Sequence, residues 1–278
     1  MKKKILEIKQ MTFTYDDEEN ALNDISVTIH EKERIAILGT NGAGKSTFFL
    51  CCNGVLHPNS GEIYLYERKI GHSKKDMIEL RKTVGIVFQD PNQQFIGTTV
   101  YDDISFGAMN IGLDKKTSSE KIEKAIKTMN LNKLTDRPPH YLSGGEKKRL
   151  SIADVLVMEP DIILFDEPTA FLDGYNTEIL KENLDILHNE GKSLVISTHD
   201  IDFAFEWADR IIIFDGGKII ADGDTLKLLT DIDLINRANL KPPFLYSIIK
   251  SLEGKGIIFS NENYPRNIMQ FEKILYEK

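Results

Sequence analysis

Gly39-Thr40-Asn41-Gly42-Ala43-Gly44-Lys45-Ser46-Thr47 follows directly on the apolar run Arg34-Ile35-Ala36-Ile37-Leu38. Gly39 to Ser46 fits G-x-x-x-x-G-K-[ST], a loop whose backbone N–H groups cradle phosphate oxygens. Gly39, Gly42 and Gly44 permit backbone turns closed to other residues and let the chain approach an anion closely. Lys45 offers a point charge to the β- and γ-phosphates of a nucleotide, and the Ser46 hydroxyl is a candidate ligand for Mg²⁺. The apolar run reads as a short buried strand. Lys45 to Leu56 reads as a helix whose N-terminal dipole faces the anion. A glycine-rich turn that binds nothing is the competing reading, and strand, loop and helix in this order argue against it. The segment therefore predicts an α/β fold with ATP and Mg²⁺ as its ligands.

A second apolar run ends in two carboxylates: Asp161-Ile162-Ile163-Leu164-Phe165-Asp166-Glu167. Consecutive apolar residues suit a strand covered on both faces of a parallel sheet. Carboxylates at its end would lie at the ligand-binding edge of that sheet. Asp166 is placed to hold Mg²⁺ through water, and Glu167 to accept a proton from, or orient, the water that attacks the γ-phosphate. Alone this is only an acidic turn closed by Pro168; beside a phosphate loop it becomes informative.

Leu142-Ser143-Gly144-Gly145-Glu146 lies between these two elements. Ser143 and Glu146 satisfy the S/T-x-x-E capping box of a helix start, and Ile152, Val155 and Leu156 recur afterwards at helical spacing. Capping accounts for Ser143 and Glu146 but not for two helix-destabilising glycines in the first turn. Close approach of a phosphate accounts for the glycines. The phosphate loop already holds one nucleotide, so the phosphate in question is expected on another copy, and an ATP-closed dimer follows.

With these three segments the chain resembles the ATP-binding cassette family over residues 4 to 222. The resemblance implies a phosphate-loop NTPase of α/β class with a RecA-like core, an N-terminal antiparallel β subdomain and an α-helical subdomain. It implies that Tyr15 stacks on adenine, a contact worth ~1–3 kcal/mol for bases on aromatics generally. Gln89, in Val87-Phe88-Gln89-Asp90-Pro91, is similar to the glutamine that touches Mg²⁺ and the attacking water. Asp173, in Thr169-Ala170-Phe171-Leu172-Asp173, resembles the aspartate that links the two halves of the dimer. His199, in Ser197-Thr198-His199-Asp200, resembles the histidine that contacts the γ-phosphate. Each also has an ordinary reading: a strand-edge aromatic, a solvated loop residue, a helix N-cap and a polar residue closing a strand. Their order and spacing favour the functional set. Phe171 stands where the family usually has glycine, and Gly174 where proline is common.

Glu146 replaces the commoner glutamine, a variant that resembles cobalt- and nickel-uptake ATPases. Phe88-Gln89-Asp90-Pro91-Asn92-Gln93-Gln94-Phe95, Asp102-Asp103-Ile104-Ser105-Phe106-Gly107 and Leu240-Lys241-Pro242-Pro243 are similar to the ATPases of energy-coupling-factor importers. That subgroup takes up metal ions or vitamins. The implied partners are a second ATPase subunit, identical or related, and integral membrane transporter subunits. The implied location is the cytoplasmic face of the cell membrane, held peripherally.

Composition agrees. The 278 residues are 41% hydrophobic and 28% charged, with a net charge of −8. An acidic balance argues against nucleic-acid binding, which runs on basic patches. Lys2-Lys3-Lys4 precede an apolar stretch that Glu7 and Lys9 break, unlike a signal peptide. No run approaches the ~18 apolar residues of a membrane span. Adjacent Cys51 and Cys52 suit buried reduced thiols, and no His/Cys cluster at ligand spacing suggests a transition-metal site.

Residues 1–222 are expected to form the ATP-binding domain, with the helical subdomain over about 75–160. Early strands are expected at Ile5 to Ile8 and Ile25 to Ile29, later ones at 162–165, 194–197 and 211–214, and a closing hairpin strand at Lys218 to Ala221. Ile122, Ala125, Ile126 and Met129 form a helical stripe that core packing explains. Residues 223–278 change character: Phe244, Leu245, Ile248, Ile249 and Leu252 make one apolar helical face, and Ile268, Phe271, Ile274 and Leu275 another. A satellite core and a dimer-supporting extension are both consistent with that tail. A chromosome-organising ATPase would place long heptads between Lys45 and Ser143, and none occur. A ribosome-associated cassette protein usually carries two motif sets, and this chain has one.

Overall fold

The computed structural model describes residues 2–16, 20–112, 114–255 and 264–276. Strand β1 (Lys4–Thr14) shows how the pattern makes the structure. Its buried positions are Ile5 at the strand's start, the alternating pair Leu6 and Ile8, then Met11 and Phe13. The parity switches at Gln10, a non-glycine residue at φ 50, where the pairing with β2 (Asn20–His30) slips. One extra residue in a strand shifts all later side chains to the opposite face, so the bulge keeps the apolar set on the core.

The chain continues through β3 (Arg34–Leu38), helix α1 (Lys45–Cys52), β4 (Ser60–Leu65), β5 (Arg68–Ile70), α2 (Lys74–Thr83) and β6 (Val84–Val87). Next come α3 (Val100–Asn110), α4 (Lys115–Thr128), α5 (Gly144–Leu156), β7 (Ile162–Asp166), α6 (Gly174–Asn189) and β8 (Ser193–Ser197). α7 (Ile201–Trp207), β9 (Arg210–Asp215), β10 (Lys218–Asp224), α8 (Thr225–Leu229), α9 (Ile232–Arg237), α10 (Phe244–Glu253) and α11 (Ile268–Tyr276) complete the described elements.

An antiparallel sheet runs β2-β1-β4-β5, and a second sheet runs β10-β9-β3-β8-β7-β6. In the second, β6, β7, β8, β3 and β9 are all parallel, and β10 alone pairs antiparallel with β9. Ile35, Ile37, Leu164 and Val195 face the core shared with the antiparallel sheet. Ala36, Leu38, Phe165 and Ile196 face the core shared with the helices. Burial on both faces is why these strands read as unbroken apolar runs. Parallel strands also finish at one edge, so residues following β3, β6, β7 and β8 converge there. The mixed α/β architecture matches the expected class.

Three local expectations are revised. α1 ends at Cys52 rather than Leu56, because Gly54 at φ 73 turns the chain and the Val55 and Leu56 N–H groups both return to the Leu50 carbonyl. One strand had not been expected: β6 lies within the helix-rich stretch from residue 75 as an edge strand paired with β7. Phe244 leaves the apolar face assigned to it and is 66% exposed, while Leu245 and Ile249 are buried and pack with Leu252, Tyr264, Phe271 and Ile274 in a satellite core. The stripe of Ile122, Ala125, Ile126 and Met129 is buried in the main helical core. Cys51 and Cys52 are free and buried, and burial pushes the Cys51 thiol up to about 12.

Gly85 in β6 marks the closest approach of sheet and helical layer. A Cβ there would overlap Val155 Cγ1 on α5 and crowd Pro160. Gly85→Ala is expected to destabilise the fold by about 1–3 kcal/mol through overpacking. Differential scanning calorimetry should show Tm falling by about 2–10 °C.

Candidate functional site

The parallel edge delivers four segments to one cleft of ≈ 610 Å³. β3 runs into the phosphate loop, β6 into Gln89, β7 into Glu167 and β8 into His199. Asn41, Gly42, Ala43, Gly44, Lys45, Ser46 and Thr47 line the cleft together with Tyr15, Gln89, Glu167 and His199. Gly42, at φ 82, has no atom of the described residues within 4 Å of a would-be Cβ, so its backbone is open to a ligand. Gly44 is needed for a different reason: it has φ 101, and a Cβ would overlap the Ala21 carbonyl of β2. Gly39 and Thr40 stand behind the lining, where their carbonyls accept hydrogen bonds from Lys45 Nζ at 2.8 and 3.2 Å.

Lys45 is 6% exposed, and its Nζ lies 3.9 Å from Glu167 Oε1. Burial holds the ammonium's pKa below the ordinary lysine value, against the opposing pull of Glu167 and Asp166. A desolvated ammonium at the base of a cleft is a strong attractor for an anion, because low dielectric strengthens the interaction. Glu167 itself has φ 42, a costly conformation for a residue with a side chain. Its N–H donates to the Ser197 carbonyl and lies 3.1 Å from Ser197 Oγ, and its Oε2 lies 2.8 Å from His199 Nδ1. The His199 side chain is 71% exposed, so it covers the carboxylate from the solvent side.

Asp166 is buried beneath the cleft, where Ser197 Oγ donates to its Oδ1 at 2.5 Å. Ser46 and Gln89 line the cleft, and Asp166, buried and not among its lining residues, directly precedes the lining Glu167; hydroxyl, amide and carboxylate oxygens are the hard donors that suit Mg²⁺. Tyr15 is half-exposed at the outer rim, edge-on to Phe13 at 4.9 Å, with its hydroxyl 3.1 Å from Thr47 Oγ1. The cleft volume, the basic floor and the aromatic rim fit a nucleoside triphosphate.

Ser143, Gly144, Gly145, Glu146 and Asp173 are not among the residues lining this cleft. Ser143 and Glu146 form the complete capping box at the start of α5. Gly145 is buried, and a Cβ there would overlap Asn176 Oδ1, so packing within the chain already demands this glycine. The sequence argument that only a phosphate explains both glycines is corrected to that extent; Gly144 stays exposed, and among the described residues only the Phe171 carbonyl comes near a Cβ built there, at 3.8 Å. Asp173 caps α6, accepting from Asn176 N at 2.8 Å and Asn176 Nδ2 at 2.9 Å. Phe171, where glycine was expected, adopts φ 65 and is 84% exposed. The loop thus takes a left-handed backbone conformation without the residue that favours it, at a cost of about 1–3 kcal/mol.

Three functional neighbours carried no sequence signal. Ser197 anchors both Asp166 and the Glu167 backbone, Asn176 joins Asp173 to Gly145, and Lys148 is a buried lysine within a basic tripeptide. Lys148 donates to the Phe88 and Gln89 carbonyls at 3.2 and 3.1 Å, and burial pushes its pKa down to about 8. Lys147-Lys148-Arg149 reads as a solvated basic run, and only the three-dimensional fold separates its members.

A family model described as ABC transporter matches residues 22–170. An energy-coupling factor transporter ATP-binding protein of Carboxydothermus hydrogenoformans is 42% identical over 265 residues, spanning 95% of this chain and 97% of the relative. A solved Clostridium perfringens protein, part of the ABC transporter complex cbiONQ, superposes with TM-score 0.75 at 37% identity, over 89% of this chain and 99% of that one. A bacterial ABC transporter cassette solved as a dimer superposes with TM-score 0.71 at 29% identity, over 80% of this chain and 99% of that one. The chain belongs to the ABC transporter family, as an ATPase of the energy-coupling factor type. Among the described residues no helix is long and apolar enough to cross a membrane.

Proposed function

We propose that this chain pairs with a second copy, or with a related cassette, closes on ATP, and powers uptake through separate membrane subunits. The observation that carries the reading is the exposure of Ser143 and Gly144 outside the cleft that holds the phosphate loop, Gln89, Glu167 and His199. A helix start that lies outside its own chain's nucleotide cleft suits the γ-phosphate held by a facing subunit. Two or three charge-assisted contacts at ~1.5–3 kcal/mol each reach the ~5.5 kcal/mol that moves a dimer from mostly open to mostly closed.

Within each cleft Lys45 draws in the β- and γ-phosphates, the loop N–H groups orient them, and Tyr15 stacks on the base. Ser46, Gln89 and Asp166 would hold Mg²⁺, which neutralises charge developing on the phosphates. Glu167 takes the proton of, or orients, the attacking water, and His199 holds the carboxylate and faces the γ-phosphate. Asp173, near the start of α5 (the signature helix, begun by the Ser143-Gly144-Gly145-Glu146 segment), is assigned to communication between halves. Hydrolysis removes the bridging phosphate and the halves part.

Residues 1–222 are taken as the ATP-binding domain, with the helical subdomain within about 75–160, and 223–278 as a dimer-supporting extension. Exposed Ile268, Met269 and Tyr276 on α11 support the last assignment. The protein is placed at the cytoplasmic face of the membrane, held by its transporter partners. The cargo is assigned as cobalt or nickel rather than a vitamin on the strength of the Glu146 variant.

Size-exclusion chromatography with light scattering tests the pairing. Glu167→Gln with ATP is expected to run as a dimer, and adding Ser143→Arg should return it to monomer with ATP still bound. A dimer insensitive to Ser143→Arg overturns the facing-signature arrangement. Uptake of radiolabelled cobalt and nickel in cells expressing the chain with its co-purifying membrane proteins tests the cargo.

A further inference from the structure

Lys148 sits one turn into α5, the helix whose first residues are Ser143 and Gly144. Its side chain turns inward rather than to solvent and is 2% exposed. Nζ reaches two consecutive carbonyls, Phe88 at 3.2 Å and Gln89 at 3.1 Å, in the segment that leaves β6 for the helical layer. Asp166, at the end of β7, and Asp90, in the same loop, are the acidic groups that face it. Its neighbour behaves differently: Lys147 is partly exposed and bonds the Asn92 side chain.

A buried ammonium is costly unless its donors are used. Here two of them go to main-chain oxygens at the start of a loop that Lys147, through the Asn92 side chain, and Gln94, through the Ser151 carbonyl, also tie to α5 further along, while Gln89 itself is exposed in the cleft. Backbone atoms cannot be exchanged between rotamers, so the pair of bonds fixes the loop's path and not merely one side chain. The same lysine is rigidly part of the signature helix. It therefore joins the segment that reads this chain's own nucleotide to the helix that meets the facing subunit's nucleotide.

We propose that Lys148 is a positioning residue for ATP hydrolysis, clamping the Gln89 loop to the signature helix so that Gln89 is held at the phosphate end of the cleft. The assignment rests on the proposed role of Gln89. Removing the clamp leaves the phosphate loop, Lys45 and Tyr15 in place, so ATP binding should persist while turnover falls.

Steady-state ATPase kinetics and ATP titration on the full chain test this in a double-mutant cycle. Lys148→Met, which keeps length and loses the donors, is expected to lower kcat on the order of ten- to a hundredfold, with ATP affinity changed by less than about threefold. Lys148→Arg should recover most of the loss. In a Gln89→Ala background the further loss on Lys148→Met should shrink to about twofold, because a residue acting through Gln89 has nothing left to position. Lys148→Gln, shorter and neutral, serves as the second variant and should show the same coupled loss. A folded variant of either kind with wild-type kcat, or a loss undiminished when Gln89 is absent, overturns the proposal. Loss of fold by circular dichroism in both also overturns it, marking Lys148 as a fold element. Failure of the underlying reading looks different: Gln89→Ala alone would then hydrolyse ATP at the wild-type rate.

Discussion

Glu167→Gln is expected to bind ATP at least as tightly as the wild-type chain while kcat falls by about 10²–10⁴-fold, the range for loss of a general base. The substitution is isosteric, so the geometry around it should hold. Its N–H stays on Ser197, and the side-chain amide can still meet His199 Nδ1, now 2.8 Å from Oε2. What disappears is the carboxylate's basicity. Its negative charge also goes, and that charge lies 3.9 Å from Lys45 Nζ at the place where phosphates would sit. Removing like charge from a phosphate site favours binding, so the chemical step and the affinity should move in opposite directions. Single-turnover hydrolysis and equilibrium titration separate the two. Turnover above about a tenth of wild type would remove Glu167 from the role a base plays.

Lys45→Ala should act on binding. One charge-assisted contact is worth ~1.5–3 kcal/mol, or about 10- to 150-fold in Kd. The loss is expected near the upper end because the ammonium is 6% exposed and partly desolvated already. Truncation also leaves the Gly39 and Thr40 carbonyls without their donor, so the empty loop should loosen as well. Thermal shift measures both effects in one titration: a lower Tm without ligand, and a much smaller rise on adding ATP. An undiminished ATP-induced rise would mean the lysine does not meet the phosphates. The two variants thus divide the cleft, Lys45 for holding and Glu167 for reacting.

Much of this was legible because the chemistry is local. The phosphate loop is one continuous segment whose glycines, lysine and hydroxyl act within a single turn, and the strand before it declares itself by an unbroken apolar run. The buried strands β3, β7 and β8 lie within a residue of their expected bounds for the same reason. Strand β6 escaped notice because Val84-Gly85-Ile86-Val87 is short and adjoins a helix, so neither period dominates. Its glycine is decided by Val155, some seventy positions away in the chain.

Residue types and spacing pointed, without coordinates, to the 39–47 loop and Glu167 as nucleotide-facing, and the family resemblance added Tyr15, Gln89 and His199 to that expectation. Parallel strands finishing at one edge bring the 39–47 loop, Gln89, Glu167 and His199 together, and Tyr15 reaches the same cleft from the end of β1 in the antiparallel sheet. Tertiary structure alone decided that Lys148 turns inward while Lys147 does not, and that Asn176 fills the space a side chain at Gly145 would need. Those outcomes depend on packing between elements far apart in sequence, and a residue's type carries no record of which neighbour the fold will bring to it.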